Sequence, residues 1–195
     1  MKYSLELAAA TRPEWLKTVM GNFTAFLQDH ADCERKASAM SMSFVAKYPD
    51  RVEIIPELIE TAIEELGHFQ QVYAHMTKRG VRLAKEITED PYVKSLLELC
   101  RTDPHNRFLD RLLTASIIEC RGAERFRLVW GAIEDDLELK EFYHHLWASE
   151  ARHGNLFVTM ALSYFDEKKV YSRLRELNDA EGELIQSLEM RAALH

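Results

Sequence analysis

Glycine, proline and long apolar runs are scarce in this sequence of 195 residues. It has only 7 glycines and 5 prolines, which favours long uninterrupted helices over closely spaced turns. No stretch of about 18 apolar residues occurs, so we expect no membrane-spanning helix. The opening residues also lack the apolar run of a signal peptide. A cytoplasmic location is therefore expected.

Cysteine and positive charge are limited as well. The three cysteines, Cys33, Cys100 and Cys120, form no CxxC pair and no even set. Reduced thiols are expected, and a disulfide framework is excluded as the basis of the fold. The net charge of −7 argues against a generally basic nucleic-acid-binding protein, although it leaves room for a local basic patch.

Apolar residues recur at helical spacing through most of the chain, and no segment is typical of a β-strand. A short helix is expected from Pro13, with Thr11 as its cap. Gly80 is expected to cap the second core helix. The long stretch from 81 to 107 would serve as a crossover between two helix pairs. We predict one domain over 1–195, with core helices at about 22–47, 52–79, 106–133 and 136–165 and an extra C-terminal helix at about 167–193.

The two halves of the chain carry the same arrangement of glutamates and histidines. Glu34 is followed after 31 residues (65 − 34) by Glu65, which begins a Glu-x-x-His pattern. Glu119 is followed after 31 residues (150 − 119) by Glu150, which begins another. Residues three apart are neighbours on one helix face, so both members of each pair can bind one ion. Six ligands for two metal ions are predicted in the core of a helix bundle: Glu34, Glu65, His68, Glu119, Glu150 and His153.

Two other acidic residues compete for these positions. Glu141 and His144 form a third Glu-x-x-His pattern. Glu141 and Glu150 are separated by about 900° of helix rotation and face opposite sides, so we assign Glu141 and His144 to the surface or an interface. Glu124 is an alternative to Glu119, but the spacing and the apolar stripe favour Glu119.

Three neighbours of the predicted ligands have other expected roles. His30 precedes Glu34 by one turn, where it could support that ligand or form an ordinary hydrogen-bonded core histidine. Cys33 and Cys120 each lie beside a predicted ligand but point about 100° away from it, so we interpret both as core packing.

The donor types indicate the metal. Carboxylate oxygen and imidazole nitrogen suit iron or manganese better than a metal that seeks thiolate. Four carboxylates in an apolar core would repel one another and lose hydration without a cation. The pattern therefore predicts bound metal.

Flanking residues extend the likeness to a known family. The stretches are 30–37 (HADCERKA), 64–69 (EELGHF), 119–124 (ECRGAE) and 149–154 (SEARHG). With the six ligands, they resemble the tRNA 2-methylthio-isopentenyladenosine hydroxylases, a family of ferritin-like di-iron carboxylate proteins. The resemblance implies an all-α, ferritin-like four-helix bundle with one long crossover and extra terminal helices.

The same resemblance implies an activity. It is an O₂-dependent hydroxylation of the isopentenyl group on the modified adenosine next to the anticodon, at two iron ions held by the six ligands. The implied partners are tRNA, O₂ and an electron donor. The donor would be external, because the sequence contains no visible nucleotide-binding fingerprint. Alternatives are another ferritin-like di-iron or di-manganese oxidase, an iron-storage protein, or a metal-free helical module. Candidate phosphate contacts are Lys78, Arg79, Arg82 and Lys85, and on the third core helix Arg121, Arg125 and Arg127.

Overall fold

The computed structural model describes residues 5–87 and 89–195. Every regular element in these residues is a helix. In chain order these are α1 (Pro13–Gly21), α2 (Phe23–Lys47), α3 (Ile55–Lys78), α4 (Pro91–Glu98), α5 (Pro104–Ala132), α6 (Leu137–Leu162) and α7 (Glu167–Ser187). None of the helices in the described part is both long and apolar enough to cross a membrane.

The described residues divide into two compact units, one of residues 17–87 and 191–194, and one of residues 5–16, 89–190 and 195. The prediction of a single domain over 1–195 stays a prediction. Its residues 1–4, and position 88 of the predicted crossover, lie outside the described residues.

The first unit is built on the antiparallel pair α2 and α3. Asn22 caps α2, where its side chain accepts a hydrogen bond from the Ala25 N–H at 3.3 Å. Ser38 joins the two helices by donating its hydroxyl to the Ala62 carbonyl at 2.8 Å. At the end of α3, Gly80 adopts φ 67°, a left-handed conformation that favours glycine. The predicted cap at Gly80 is thus confirmed.

The second unit is built on the antiparallel pair α5 and α6, with α7 packed on both and α4 packed on α5 and α7. Aspartates begin three of these helices: Asp90 caps α4, Asp103 caps α5 and Asp136 caps α6. Each carboxylate accepts backbone N–H groups that the first turn leaves without helical partners. The four predicted core helices agree with α2, α3, α5 and α6 to within three residues at every end.

Two sequence predictions fail at the chain termini. The last helix ends at Ser187 and not near Ala193, because Leu188 takes an extended conformation and packs against the cluster of Tyr92, Leu96 and Ile185. Thr11 does not cap α1 through its side chain. Its hydroxyl is directed to the carboxylate of Glu124 at 2.6 Å.

Candidate metal centre

The first unit brings Glu34, Glu65 and His68 together. All three side chains are buried, and each offers a ligand atom within 4.8 Å of the other two. The His68 Nδ1 lies 3.1 Å from Glu65 Oε2 and 3.7 Å from Glu34 Oε2. The contact between Glu65 and His68 follows from their three-residue spacing on α3, and Glu34 comes from the antiparallel helix α2. We call these three residues the first triad.

His30 contacts the first triad from one helical turn before Glu34. Its side chain is fully buried, and its Nε2 lies 2.6 Å from Glu34 Oε1. The sequence left two roles open for this histidine, and the structure places it directly on a predicted ligand. A hydrogen bond of this kind fixes the orientation of a carboxylate that binds metal.

The second unit brings Glu119, Glu150 and His153 together in the same way. They are buried, with 7%, 3% and 1% of their surfaces exposed, and their ligand atoms also lie within 4.8 Å of one another. The His153 Nδ1 is 3.4 Å from Glu150 Oε2. Glu119 comes from α5, and the other two residues come from α6. We call these residues the second triad.

A close approach of α5 to α6 supports the second triad. The Ser116 hydroxyl donates to the carbonyl of Gly154 at 2.7 Å. A Cβ atom added to Gly154 would lie 2.4 Å from Cys120 Sγ and 3.3 Å from the Ser116 carbonyl oxygen. Gly154 therefore allows the residue beside His153 to pack directly against α5. Cys120 is part of this packing, and burial raises the pKa of its thiol to about 12, so the thiol is neutral near pH 7.

Glu124, the alternative to Glu119, has other partners. It accepts hydrogen bonds from the Thr11 backbone N–H at 2.9 Å and from the Thr11 hydroxyl, and it forms an ion pair with Arg121. Burial alone would raise the pKa of Glu124, but the Thr11 hydrogen bonds and the Arg121 charge outweigh burial and lower it. Glu124 is thus held as a carboxylate by groups outside both triads.

The prediction that Arg121 and Arg125 contact phosphates is wrong, because both are buried. Arg121 donates from Nε and Nη2 to the two carboxylate oxygens of Glu181, each at 2.8 Å. The guanidinium of Arg125 lies 4.9 Å from the centre of the Trp15 ring. Sequence reasoning missed this network, since Glu181 is 60 residues from Arg121. Lys78, Arg82, Lys85 and Arg127 are exposed, and Arg79 is half-buried.

The third Glu-x-x-His pattern lies at the surface, as predicted. Glu141 and His144 are both exposed on α6, although they belong to the same helix as Glu150 and His153. Helical phase therefore separates two patterns that are identical in spacing.

The donor set of each triad fits a divalent metal ion. Two carboxylates and one imidazole are the oxygen and nitrogen ligands that suit iron or manganese, and all six side chains are buried. Removing two carboxylates from water costs several kcal/mol for each charge unless a cation or a proton offsets it. The geometry thus supports one metal-binding triad in each unit.

The four long helices α2, α3, α5 and α6, with the glutamates and histidines that they carry, place the protein in the ferritin-like class. In this class, Glu residues and Glu-x-x-His patterns project from four helices. A solved structure agrees with this class. It is a protein from Synechococcus described as "Protein 43 with aldehyde deformylating oxygenase activity", which matches with a TM-score of 0.90 and 32% identity over 97% of this chain and 94% of its own.

Sequence comparison identifies the family. The profile of tRNA-(MS[2]IO[6]A)-hydroxylase (MiaE) matches residues 2–195, and the chain belongs to this family. A relative in Pseudomonas putida, a tRNA 2-(methylsulfanyl)-N(6)-isopentenyladenosine(37) hydroxylase, is 33% identical over 97% of this chain and 91% of its own length. A hydroxylase of the same description in Salmonella typhimurium is 26% identical over 89% of this chain and 80% of its own.

Proposed function

We propose that this protein is an O₂-dependent di-iron monooxygenase. Its substrate is tRNA, and it hydroxylates the isopentenyl group of 2-methylthio-isopentenyladenosine next to the anticodon. The observation that carries the proposal is the pair of buried triads of equal composition in a chain of the hydroxylase family. A tRNA-modifying enzyme would work in the cytoplasm.

The six ligands are proposed to hold two iron ions. Glu34, Glu65 and His68 belong to one triad, and Glu119, Glu150 and His153 belong to the other. Together they supply four negative charges, which balance two ferrous ions. Bound iron supplies the one capability that amino-acid side chains lack, which is to use O₂ and electrons against an unactivated C–H bond.

The protein itself orients the ligands and keeps water away from them. His30 holds one oxygen of Glu34 in a fixed direction. On α6, Leu146 and Phe157 lie about one turn to either side of the Glu150–His153 pair and are buried, so the second triad has apolar neighbours. Exclusion of water protects a reactive oxidant from side reactions. One oxygen atom enters the substrate and the other leaves as water, which requires two electrons and two protons from an external donor.

The substrate assignment rests on the family and on the names of the two curated relatives. An isopentenyl group is apolar, and ordinary acid–base groups do not break its C–H bonds, so the oxidative chemistry that bound iron would supply suits it. Its adenosine lies in a single-stranded loop, where a base can leave the stack and enter a protein pocket at modest cost.

A second candidate is an oxygenase that acts on aldehydes. The activity described for the Synechococcus protein favours it, given 32% identity and a TM-score of 0.90. The ligands would be the same, so only the substrate distinguishes the two candidates.

One experiment separates them. The iron-loaded protein, a chemical reductant and ¹⁸O₂ are incubated in parallel with tRNA that carries the unhydroxylated nucleoside and with a long-chain aldehyde. We expect digested tRNA to yield a nucleoside heavier by one ¹⁸O atom, and no hydrocarbon from the aldehyde. Unchanged tRNA with conversion of the aldehyde would replace the first candidate with the second. The Glu65→Ala variant is the control for oxidation that does not involve the site.

A further inference from the structure

Three aromatic rings form a cluster where α5 ends and α6 begins. Trp130 and Trp147 are stacked, with ring centroids 5.6 Å apart and an interplanar angle of 26°. His144 lies 5.3 Å from Trp130 and meets Trp147 edge-on at 5.6 Å. Both tryptophans are half-buried and His144 is exposed, so the cluster reaches the surface. We call these three residues the aromatic platform.

One member of the aromatic platform, Trp147, is close in sequence to the second triad, whereas His144 lies on the exposed side of α6. Trp147 precedes Glu150 by three residues, a rise of about 4.5 Å along α6. Trp130 follows Glu119 by eleven residues, so it lies on the same face of α5 but about 16 Å further along the helix. The platform therefore begins about one turn from the second triad, at Trp147, and extends away from it towards the end of α5.

The charges around the aromatic platform suit a nucleic-acid strand on one side. Arg127 is exposed one turn before Trp130, and Lys140 is half-buried one turn before His144. Exposed acids lie in the turn between the helices, at Glu134 and Asp135, and at the start of α6, at Glu138 and Glu141. Phosphate contacts are therefore expected at Arg127 on α5, because the turn and the start of α6 are acidic.

The whole chain gives a reason why RNA binding would depend on stacking. The net charge is −7, and two of the seven basic residues predicted to contact phosphates are buried with other partners. Little affinity can then come from neutralised phosphates and released counterions. Aromatic side chains that stack on unpaired bases supply affinity without requiring net positive charge.

We propose that the aromatic platform stacks on an unpaired base of the tRNA anticodon loop, beside the base that is hydroxylated. This proposal rests on the function proposed above and assigns a binding role to Trp130, Trp147 and His144. Stacking would hold the neighbouring nucleotide while the modified adenosine reaches the metal centre. It also gives a use to His144, which the Glu-x-x-His spacing singled out and the metal centre does not use.

Tryptophan fluorescence tests the proposal directly, because the chain contains only three tryptophans. The third, Trp15, is 2% exposed and serves as an internal reference. The probe is an anticodon stem–loop RNA carrying the unhydroxylated nucleoside. We expect the RNA to quench the emission of the wild-type protein and to leave a Trp130→Phe/Trp147→Phe variant, which retains Trp15 alone, unquenched.

Affinity is measured in the same series with a labelled stem–loop. Replacing both tryptophans by Ala is expected to raise the Kd about tenfold or more, as the loss of one stacked base implies. The double Phe variant keeps two aromatic rings at these positions, so its Kd should lie within about threefold of the wild-type Kd. Tyr73→Ala, which removes an exposed aromatic ring from α3, is the matched control and should leave the Kd unchanged. The Kd of the wild type should also depend only weakly on salt.

The outcomes separate the platform from the proposed function. If the wild type binds and hydroxylates the RNA but the double Ala variant binds it equally well, the stacking proposal is overturned and the proposed function stands. If the wild type neither binds nor hydroxylates the RNA, both are overturned. The iron content and the helical circular dichroism of each variant must match those of the wild type. If the double Ala variant does not fold, the quenching difference between the wild type and the double Phe variant decides the test.

Discussion

At the scale of single residues, two identical patterns on α6 have opposite environments. Glu141 and His144 are exposed, whereas Glu150 and His153 are buried beside Glu119. Nine residues separate the two glutamates, so helical phase alone decides which one reaches the interior. This contrast provides a matched pair for mutation.

We predict that Glu150→Ala abolishes iron binding and hydroxylation together, because it removes one of three donors of the second triad. Glu141→Ala makes the same chemical change on the exposed side and should retain both. Bound iron is counted by atomic emission on purified protein, and activity is measured on tRNA. Full iron occupancy in Glu150→Ala would refute the assignment of this ligand.

Residues with distant partners were the ones that local sequence could not assign. The spacing of Glu34, Glu65, Glu119 and Glu150 was visible because each half of the chain repeats it. Arg121 was mistaken for a phosphate contact because the partner that buries it, Glu181, lies on α7. A charged side chain must be either paired with an opposite charge or solvated, and the local sequence does not show which of these applies.

At the scale of elements, the crossing of α5 and α6 depends on one small residue. A methyl group at Gly154 would contact Cys120 Sγ at 2.4 Å and the Ser116 carbonyl at 3.3 Å. We expect Gly154→Ala to lower the free energy of unfolding by about 1–3 kcal/mol, the usual cost of overpacking. Cys120→Ala removes the nearest atom, so the double variant should recover part of the loss. Urea denaturation of the wild type, both single variants and the double variant measures the coupling between the two positions. Strictly additive changes in the free energy of unfolding would contradict the proposed clash.

A second element-scale contact joins the α4–α5 connection and α7 to α5. The carboxylate of Asp110 accepts hydrogen bonds from the Arg101 guanidinium at 2.6 and 2.9 Å and from Arg173 Nε at 3.0 Å. Burial alone would raise the pKa of Asp110, but the hydrogen bonds from Arg101 and Arg173 outweigh it and lower the pKa.

This arrangement predicts a dependence of stability on pH. Because the pKa is lowered on folding, the carboxylate stabilises the native state above its ordinary pKa, and this is lost as pH falls through the folded pKa. We expect Asp110→Asn to cost about 3 kcal/mol at pH 7 and progressively less below about pH 4. Urea denaturation across this range tests the prediction, with the exposed Asp166→Asn as control. A loss that does not change with pH would contradict it.

Helix boundaries could be predicted wherever the sequence marks them chemically. Gly80 marks the end of α3, and α5 begins at Pro104, two residues before the predicted start at about 106. The end of α7 could not be predicted, since Leu188 continues the apolar spacing although its backbone is extended. Its apolar side chain is partly buried against the cluster of Tyr92 and Leu96, so hydrophobicity alone did not distinguish helix from an extended segment.

At the scale of the whole molecule, the chain repeats one design in its two halves. Each half pairs two long helices and places a triad of two glutamates and one histidine in its interior. A single Glu-x-x-His pattern is common by chance, whereas its repetition in both halves, each time with a buried partner glutamate, supports the proposal of metal binding. The central claim is that the two triads together bind two iron ions.

The most direct test of that claim is the number of irons bound per chain after anaerobic loading with ferrous iron, followed by removal of excess metal. The account predicts about two irons per chain, falling with either Glu65→Ala or Glu150→Ala and unchanged in Glu141→Ala. One iron per chain, or none, in the wild-type protein would contradict it.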